Sequence, residues 1–299
     1  MKWLGGVLGG GALAGAACVG WGVIEARRYR VREHLVPILP AGADSLALLQ
    51  VSDLHLRLSN RALAAFVESL GDQTYDVVLA TGDLLGQPEA VGRCAEILNE
   101  LQATSARFFV LGSSDYYAPN FKNYLDYFLG RRRHGTKRNP TDELRRRLTD
   151  HGWVDLTNRT VDLPLNGTRT QITGLDDPYL HRDDRSLLVR DPEARVALLV
   201  VHDPAPYLDA ARAGFDLTVA GHTHGGQVRI PLVGAVVTNS TLPRRLARGL
   251  SRVEGSMLHV SPGLGTGKYA PFRFLCPPEA SVLRLVPRPG GPDEMTDQH

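Results

Sequence analysis

Five apolar stretches of this chain run straight into side chains that bind cations or move protons. Leu46–Val51 ends in Ser-Asp53-Leu-His55, Asp76–Ala80 in Thr-Gly82-Asp83, and Arg107–Leu111 in Gly112-Ser113-Ser114-Asp115. Val196–Val201 ends in His202-Asp-Pro204, and Leu217–Ala220 in Gly221-His222-Thr-His224-Gly-Gly-Gln227. One such cluster means little, because an Asp-x-His pair arises by accident and a lone buried histidine is commonly a hydrogen-bonded core residue. Five in succession, each directly after an apolar run, converge on one edge of a sheet. Carboxylates and imidazoles collected there are too costly to desolvate unless a cation sits among them. A pair of divalent metals is the simplest answer. Mixed Asp oxygen and His nitrogen donors suit Mn, Fe or Zn better than Ca. Two such ions about 3.5–4 Å apart, bridged by a carboxylate, clamp phosphate oxygens and lower the pKa of a bound water for in-line displacement at phosphorus.

The elements that must hold these side chains alternate. Leu46–Val51 and Asp76–Ala80 read as strands buried on both faces, Asn60–Leu70 and Glu89–Leu101 as helices, and Arg107–Leu111 as a third strand. Strand and helix at this interval imply βαβ units with the site at the carboxyl ends of the strands. From 120 to 149 the chain is first aromatic and then basic (Arg131, Arg132, Arg133, Lys137, Arg138), which reads as an inserted excursion and a helix. Its charges form either a solvated face or a patch for an anionic membrane surface. Thr160–Leu165 and Thr168–Thr173 flank Asn166-Gly167 as a hairpin, and Leu258–Val260 and Ser281–Val286 supply further strands.

The chain has 299 residues, 43% hydrophobic and 22% charged, with a net charge of +2. That is an ordinary α/β composition, and it gives no reason to expect nucleic acid as a partner. Cys18, Cys94 and Cys276 lack disulfide or zinc-ligand spacing. Trp3 to Ile24 carries no charge, which predicts a membrane anchor over residues 1–26. Ala14-Gly15-Ala16 also resembles a cleavage site, so a removed export signal is the alternative. Lys2 precedes the segment, whereas Arg27, Arg28, Arg30 and Arg32 come after it, which orients the downstream domain to the cytoplasm of a single-pass cell-membrane protein. Residues 27–44 read as a linker and 287–299 as a disordered tail.

In this order, Asp53-x-His55, Gly82-Asp83, Gly112-x-x-Asp115, His202 and Gly221-His222-x-His224 resemble the calcineurin-like metallophosphoesterase superfamily over about residues 45–286. The apolar N-terminus, the "SDLH" and the "GHTHGGQ" resemble its membrane-associated branch, which includes UDP-2,3-diacylglucosamine pyrophosphate hydrolases. The resemblance implies a four-layered αββα sandwich of two mixed sheets with helices outside. It also implies that Asp53, His55 and His224 hold one divalent ion (Mn, Fe, Zn or Mg), that His202 and His222 hold a second, and that Asp83 bridges them. Where most of the family has Gly-Asn-His-Asp, this chain has Gly112-Ser113-Ser114-Asp115. Ser113 therefore stands at a metal-ligand position, and Ser114 and Asp115 at catalytic ones. A serine hydroxyl is a weaker metal donor than an amide oxygen, and Ser114 cannot act as an acid near neutral pH. Either His134 or His181 supplies that proton, or the leaving group needs none, or catalysis has been lost and metal binding kept.

"GLGTGK", Gly263 to Lys268, lacks the spacing and the Ser or Thr of a phosphate loop. In the resembled family a Gly-rich turn there borders the cleft, which makes Arg273 and Lys268 candidates for contacting an anionic substrate, with plain surface charge as the alternative. The reading is a membrane-anchored hydrolase of a phosphoester or pyrophosphate, acting on a phosphorylated small molecule or lipid head group. The alternative is a metal-binding scaffold of weak or no activity.

Overall fold

Strands that are apolar at every position have to be covered on both faces, and β3 (Thr74–Thr81) shows how this is met. Val77 and Leu79 point between two sheets, toward Phe108, Leu198, Val200 and Val219. Val78 and Ala80 point the other way, toward Leu63, Val67, Leu98, Leu144 and Leu148 on the helices Arg61–Ser69, Val91–Asn99 and Thr141–Thr149. A computed structural model describes residues 18–119, 135–238, 240–267 and 269–289. The first sheet has the order β1 (Arg30–Leu39), β14 (Glu279–Pro287), β2 (Leu46–Val51), β3, β4 (Gln102–Val110), β5 (Trp153–Asp155). The second runs β12 (Gly249–Val253), β13 (Ser256–Val260), β9 (Leu217–Ala220), β8 (Val196–Val200), β7 (Thr168–Gly174), β6 (Arg159–Leu165). On its outer face Ala197, Leu199 and Val201 pack against Ala210 of helix Tyr207–Arg212 and against Phe215 in the turn after it. The result is helices, sheet, sheet, helix, as expected. Each large side chain buried this way contributes about 1.5–3 kcal/mol of transfer free energy.

Register brings the site together. β2, β3 and β4 are parallel, with Val51 beside Ala80 and Ala80 beside Phe109, so the residues after them emerge side by side. β8 and β9 are also parallel, with Val200 beside Val219. Buried Gln50 fastens the two edges: its Nε2 donates to Thr81 Oγ1 and to Ala220 O, each at 2.9 Å, and its Oε1 meets His259 Nδ1 at 2.8 Å.

A second fastening is electrostatic. Glu279, fully buried, takes Arg30 Nη2 at 2.9 Å and Arg248 Nη2 at 3.2 Å on one oxygen, and His34 Nε2 and Ser281 Oγ on the other, both at 3.3 Å. His34, His259 and Glu279 lie close enough together to hold a cation. With both oxygens occupied and two guanidiniums opposed to a further positive charge, the cluster works as an ion-pair hub instead.

Two expectations change here, and two others fall largely outside the described residues. Residues 27–44 are not a bare linker, because they contain the ten-residue strand β1, parallel to β14 at the sheet edge. An edge position tolerates Pro37 and the exposed charges that disguise the strand in sequence. The membrane helix over Trp3–Ile24 is not supported: residues 1–17 lie outside the described residues, and among those described no helix is long and apolar enough to cross a membrane. In the described part of the first helix, residues 18–25, Gly22 and Glu25 are buried against the domain. Most of the basic excursion (120–134, with His134) and the tail from 290 also lie outside the described residues.

Burial alone would push the Glu279 carboxyl up, but His34, Arg248 and Arg30 outweigh it and hold it at about 2. A depressed carboxylate stabilises the fold fully above its ordinary 4.5, and that contribution fades as pH falls toward 2. Glu279→Gln should therefore cost about 3 kcal/mol at neutral pH, with the gap to wild type closing between about pH 4.5 and pH 2 in denaturant titrations. A gap constant across that range would show that the hub contributes through packing alone.

Candidate metal centre

The centre is built on backbone conformations that L-residues avoid. Asp53, His55, Asp83, His222 and His224 all have φ between +40 and +69. Each such residue costs on the order of 1–3 kcal/mol, and such strain persists only where the surroundings over-determine it. It turns each chain sharply off its strand end, so that the side chain points back over the sheet edge. Gly221 is needed beside them, since a Cβ there would overlap Ser52 Oγ and the Asp53 carboxylate.

Two ligand clusters meet through shared carboxylates. Asp53, His55 and His224 form one, and Asp53, Asp83 and His202 the other. In the first, the Nε2 atoms of His55 and His224 face each other at 3.1 Å, and His224 Nε2 is 3.6 Å from Asp53 Oδ1. Asp53 Oδ1 is buried with no hydrogen-bond donor, while Oδ2 takes Ser52 Oγ at 2.6 Å and His222 N at 3.1 Å. Burial depresses the pKa of His55 and holds His224 down at about 3, so neither ring readily carries a proton. Two lone pairs and an orphaned carboxylate oxygen aimed at one volume are a fit for a divalent cation.

Asp83 joins the clusters. Its Oδ2 is 3.4 Å from His55 Nε2, and its Oδ1 is 3.4 Å from His202 Nε2. His202 Nδ1 is 2.8 Å from Thr81 O, which fixes the tautomer and leaves Nε2 for a ligand. His222 Nδ1 lies 3.3 Å from that same Nε2, so His222 belongs on this side. Burial disfavours charge on both Asp83 and His202. Their mutual attraction prevails, holding the Asp83 carboxyl well below the usual range and the His202 imidazole well above it. With no cation between them, they form an ion pair.

The remaining expected site residues lie elsewhere or have other tasks. Asp115 is fully buried, and both oxygens are spent on backbone: Oδ1 accepts from Leu84 N at 2.8 Å and Leu85 N at 3.0 Å, and Oδ2 from Gly112 N at 2.9 Å. Burial and the nearby Asp83 charge push its pKa up to about 7. It shapes the turn that presents Asp83, which replaces the expected catalytic role with a positioning one. Ser114 reaches the centre through its backbone, its N–H donating to Asp83 Oδ1 at 2.8 Å. Neither the Ser113 nor the Ser114 hydroxyl bonds a described residue.

Arg273 is a correction. It is fully buried, with its guanidinium against the carbonyls of Pro262 (2.8 Å), Gly265 (2.6 Å) and Cys276 (3.2 Å) and 3.4 Å from His224 Nδ1. It braces the glycine turn and is not free for a substrate. Lys268 lies outside the described residues, and His181 is exposed after the turn Pro178–Leu180.

Two carboxylates escaped the sequence reading. Asp177 and Asp203 are buried, each with one oxygen lacking a donor. Asp203 Oδ2 is 3.9 Å from His222 Nε2, and burial, with Asp83 and Asp203 nearby, raises Asp177 well above the usual range. The signal was present, since β7 also ends in an acidic pair, Asp176-Asp177.

Paired sheets with Asp and His clusters at their carboxyl edges define a metal-dependent hydrolase. The chain belongs to the calcineurin-like phosphoesterase family, whose pattern it matches over residues 46–226. It is 26% identical over 295 residues to the uncharacterized metallophosphoesterase YkuE of Bacillus subtilis, covering 95% of this chain and 96% of that one. It is 24% identical over 270 residues to the phosphodiesterase YaeI of Escherichia coli, covering 86% and 88%. Among solved structures, the phosphopantetheinyl hydrolase PptH of Mycobacterium tuberculosis aligns with a TM-score of 0.45 at 14% identity, over 86% of this chain and all of that one.

Because Asp83 faces both clusters, Asp83→Ala should remove more metal than either His55→Ala or His202→Ala in elemental analysis, emptying both sites where each histidine variant empties one; equal retention in all three refutes the shared position. Loading should also expel the His202 proton, close to one per chain by calorimetry in buffers of different ionisation enthalpy. Proton and cation compete for one nitrogen whose proton is held tightly by Asp83, so affinity should fall steadily as the pH is lowered.

Proposed function

We propose that this phosphoesterase hydrolyses a phosphodiester or pyrophosphate bond carried by a lipid or lipid-linked head group, with two divalent ions held across Asp83. The observation that carries the reading is Asp83 offering one oxygen to each ligand cluster. The E. coli relative's description as a phosphodiesterase supports a diester. Asp53, His55 and His224 would hold one ion, and Asp83, His202 and His222 the other. When bound, such ions supply Lewis-acid activation of water and clamp the phosphoryl oxygens.

The chain's own contribution is orientation. Thr81 O fixes His202, Ser52 and the His222 amide fix one oxygen of Asp53, and Asp115 and the Ser114 amide set the Asp83 turn. No acid stands at Ser114, so leaving groups that depart unaided are the better substrates. Membrane placement, with the domain on the cytoplasmic side, rests on the uncharged stretch from Trp3 and the arginines after it. The scaffold reading rests on the idle hydroxyls of Ser113 and Ser114.

Wild-type protein with manganese should cleave bis(p-nitrophenyl) phosphate, whose leaving group is activated. Ser114→His should add about 10²-fold on alkyl diesters and little on the activated one. A fully metal-loaded wild type with no activity on either class would decide for the scaffold.

A further inference from the structure

The helix at 18–25 is docked beside the metal centre. Gly22 O accepts Arg273 N–H at 2.9 Å, the Glu25 carboxylate accepts the N–H groups of Leu275 at 3.1 Å and Cys276 at 2.6 Å, and Trp21 Nε1 donates to it at 2.9 Å. Next to this junction opens a groove of about 910 Å³ lined by Trp21, Arg28, Arg30, Arg32, Arg229 and Arg248. Glu25 in its wall and Glu279 beneath leave these five guanidiniums only partly neutralised. The groove is built for anions.

Its rim is apolar. Val19, Trp21 and Ile24 stand exposed on the helix, Leu275 on the turn that receives it, and Leu232 and Val233 on the hairpin of β10 (Arg229–Ile230) and β11 (Gly234–Ala235). These are one surface, because Val228 pairs with Phe274 and Arg229 N donates to Phe274 O at 2.9 Å, one residue before Leu275. Leu232 and Leu275 have φ of +66 and +52. A left-handed turn in water is normally made by Gly or Asn, and a bulky side chain held there in strain and exposed points to a use for the side chain. Residues 18–24, the described end of the uncharged stretch, lie on this same face.

From these observations we infer that this face rests on an anionic bilayer surface, with the hairpin tip and the helix in the interfacial layer and the arginine groove on lipid phosphates. Apolar side chains flanked by arginines are the composition of such a contact. The inference rests on the membrane reading above and adds the orientation. The hairpin comes directly after His224 and Gln227, so lipid head groups in the groove would lie beside the first ligand cluster.

The test uses the full chain carrying Cys18→Ser, which leaves only the buried Cys94 and Cys276. Val233→Cys receives an environment-sensitive label, and Gln102→Cys, at the opposite end of β4, serves as control. With brominated lipids in phosphatidylcholine vesicles containing about 30% phosphatidylglycerol, the label at 233 should be quenched several-fold more than the label at 102. Arg28→Glu combined with Arg32→Glu should lower vesicle affinity at least ten-fold, and folding is checked by thermal unfolding. Protein that pellets with vesicles while the 233 label stays unquenched overturns the orientation but keeps the membrane reading. Protein that never pellets overturns both. Neither outcome touches hydrolysis of the soluble diester, which is measured separately.

Discussion

Lone pairs aimed at one small volume repel one another, and the structure of this chain is organised around holding them there. His55 and His224 face each other at 3.1 Å, with a donorless oxygen of Asp53 close by. In water each group would turn away and find its own hydrogen bonds. Here left-handed turns, a missing Cβ at Gly221 and the buried Arg273, its Nη atoms held on carbonyls, remove that freedom. The sheets supply the rigidity those turns require, and Gln50 and the Glu279 hub keep their edges from separating. A cation converts the repulsion into coordination, so its binding energy can offset the strain.

How much of this was legible in the sequence depends on which residues face two sides. β2, β3 and β8 are buried on both faces and read as unbroken apolar runs, so their ends, with Asp53, Asp83 and His202, stood out. β1 is an edge strand with charges outward and Pro37 within, and it looked like a linker. β7 carries Thr168 and Thr170 on the face it shares with buried Ile172, and Gln171 on the other, so it reads as an ordinary hairpin arm, and Asp177 beyond its end was hidden. The role of Arg273 was out of reach, because its partners are backbone carbonyls, and a sequence does not say where a carbonyl points.

The serine turn separates two jobs that a single motif usually joins. Shaping the turn falls to Asp115 and to the amide of Ser114, and both are intact. The side chains at 113 and 114 are hydroxyls bonded to nothing described. The geometry of Asp83 is thus independent of them, because backbone N–H donors do not depend on which side chain is present.

The anchoring of Glu25 on the amides of Leu275 and Cys276 bears on how such a protein can be rearranged. In this chain the helical residues 18–25 are a wall of the domain, hydrogen-bonded to the segment that carries Arg273 and through it to His224. A recombination joint placed at residue 26 would cut through a folded part of the domain and remove that wall.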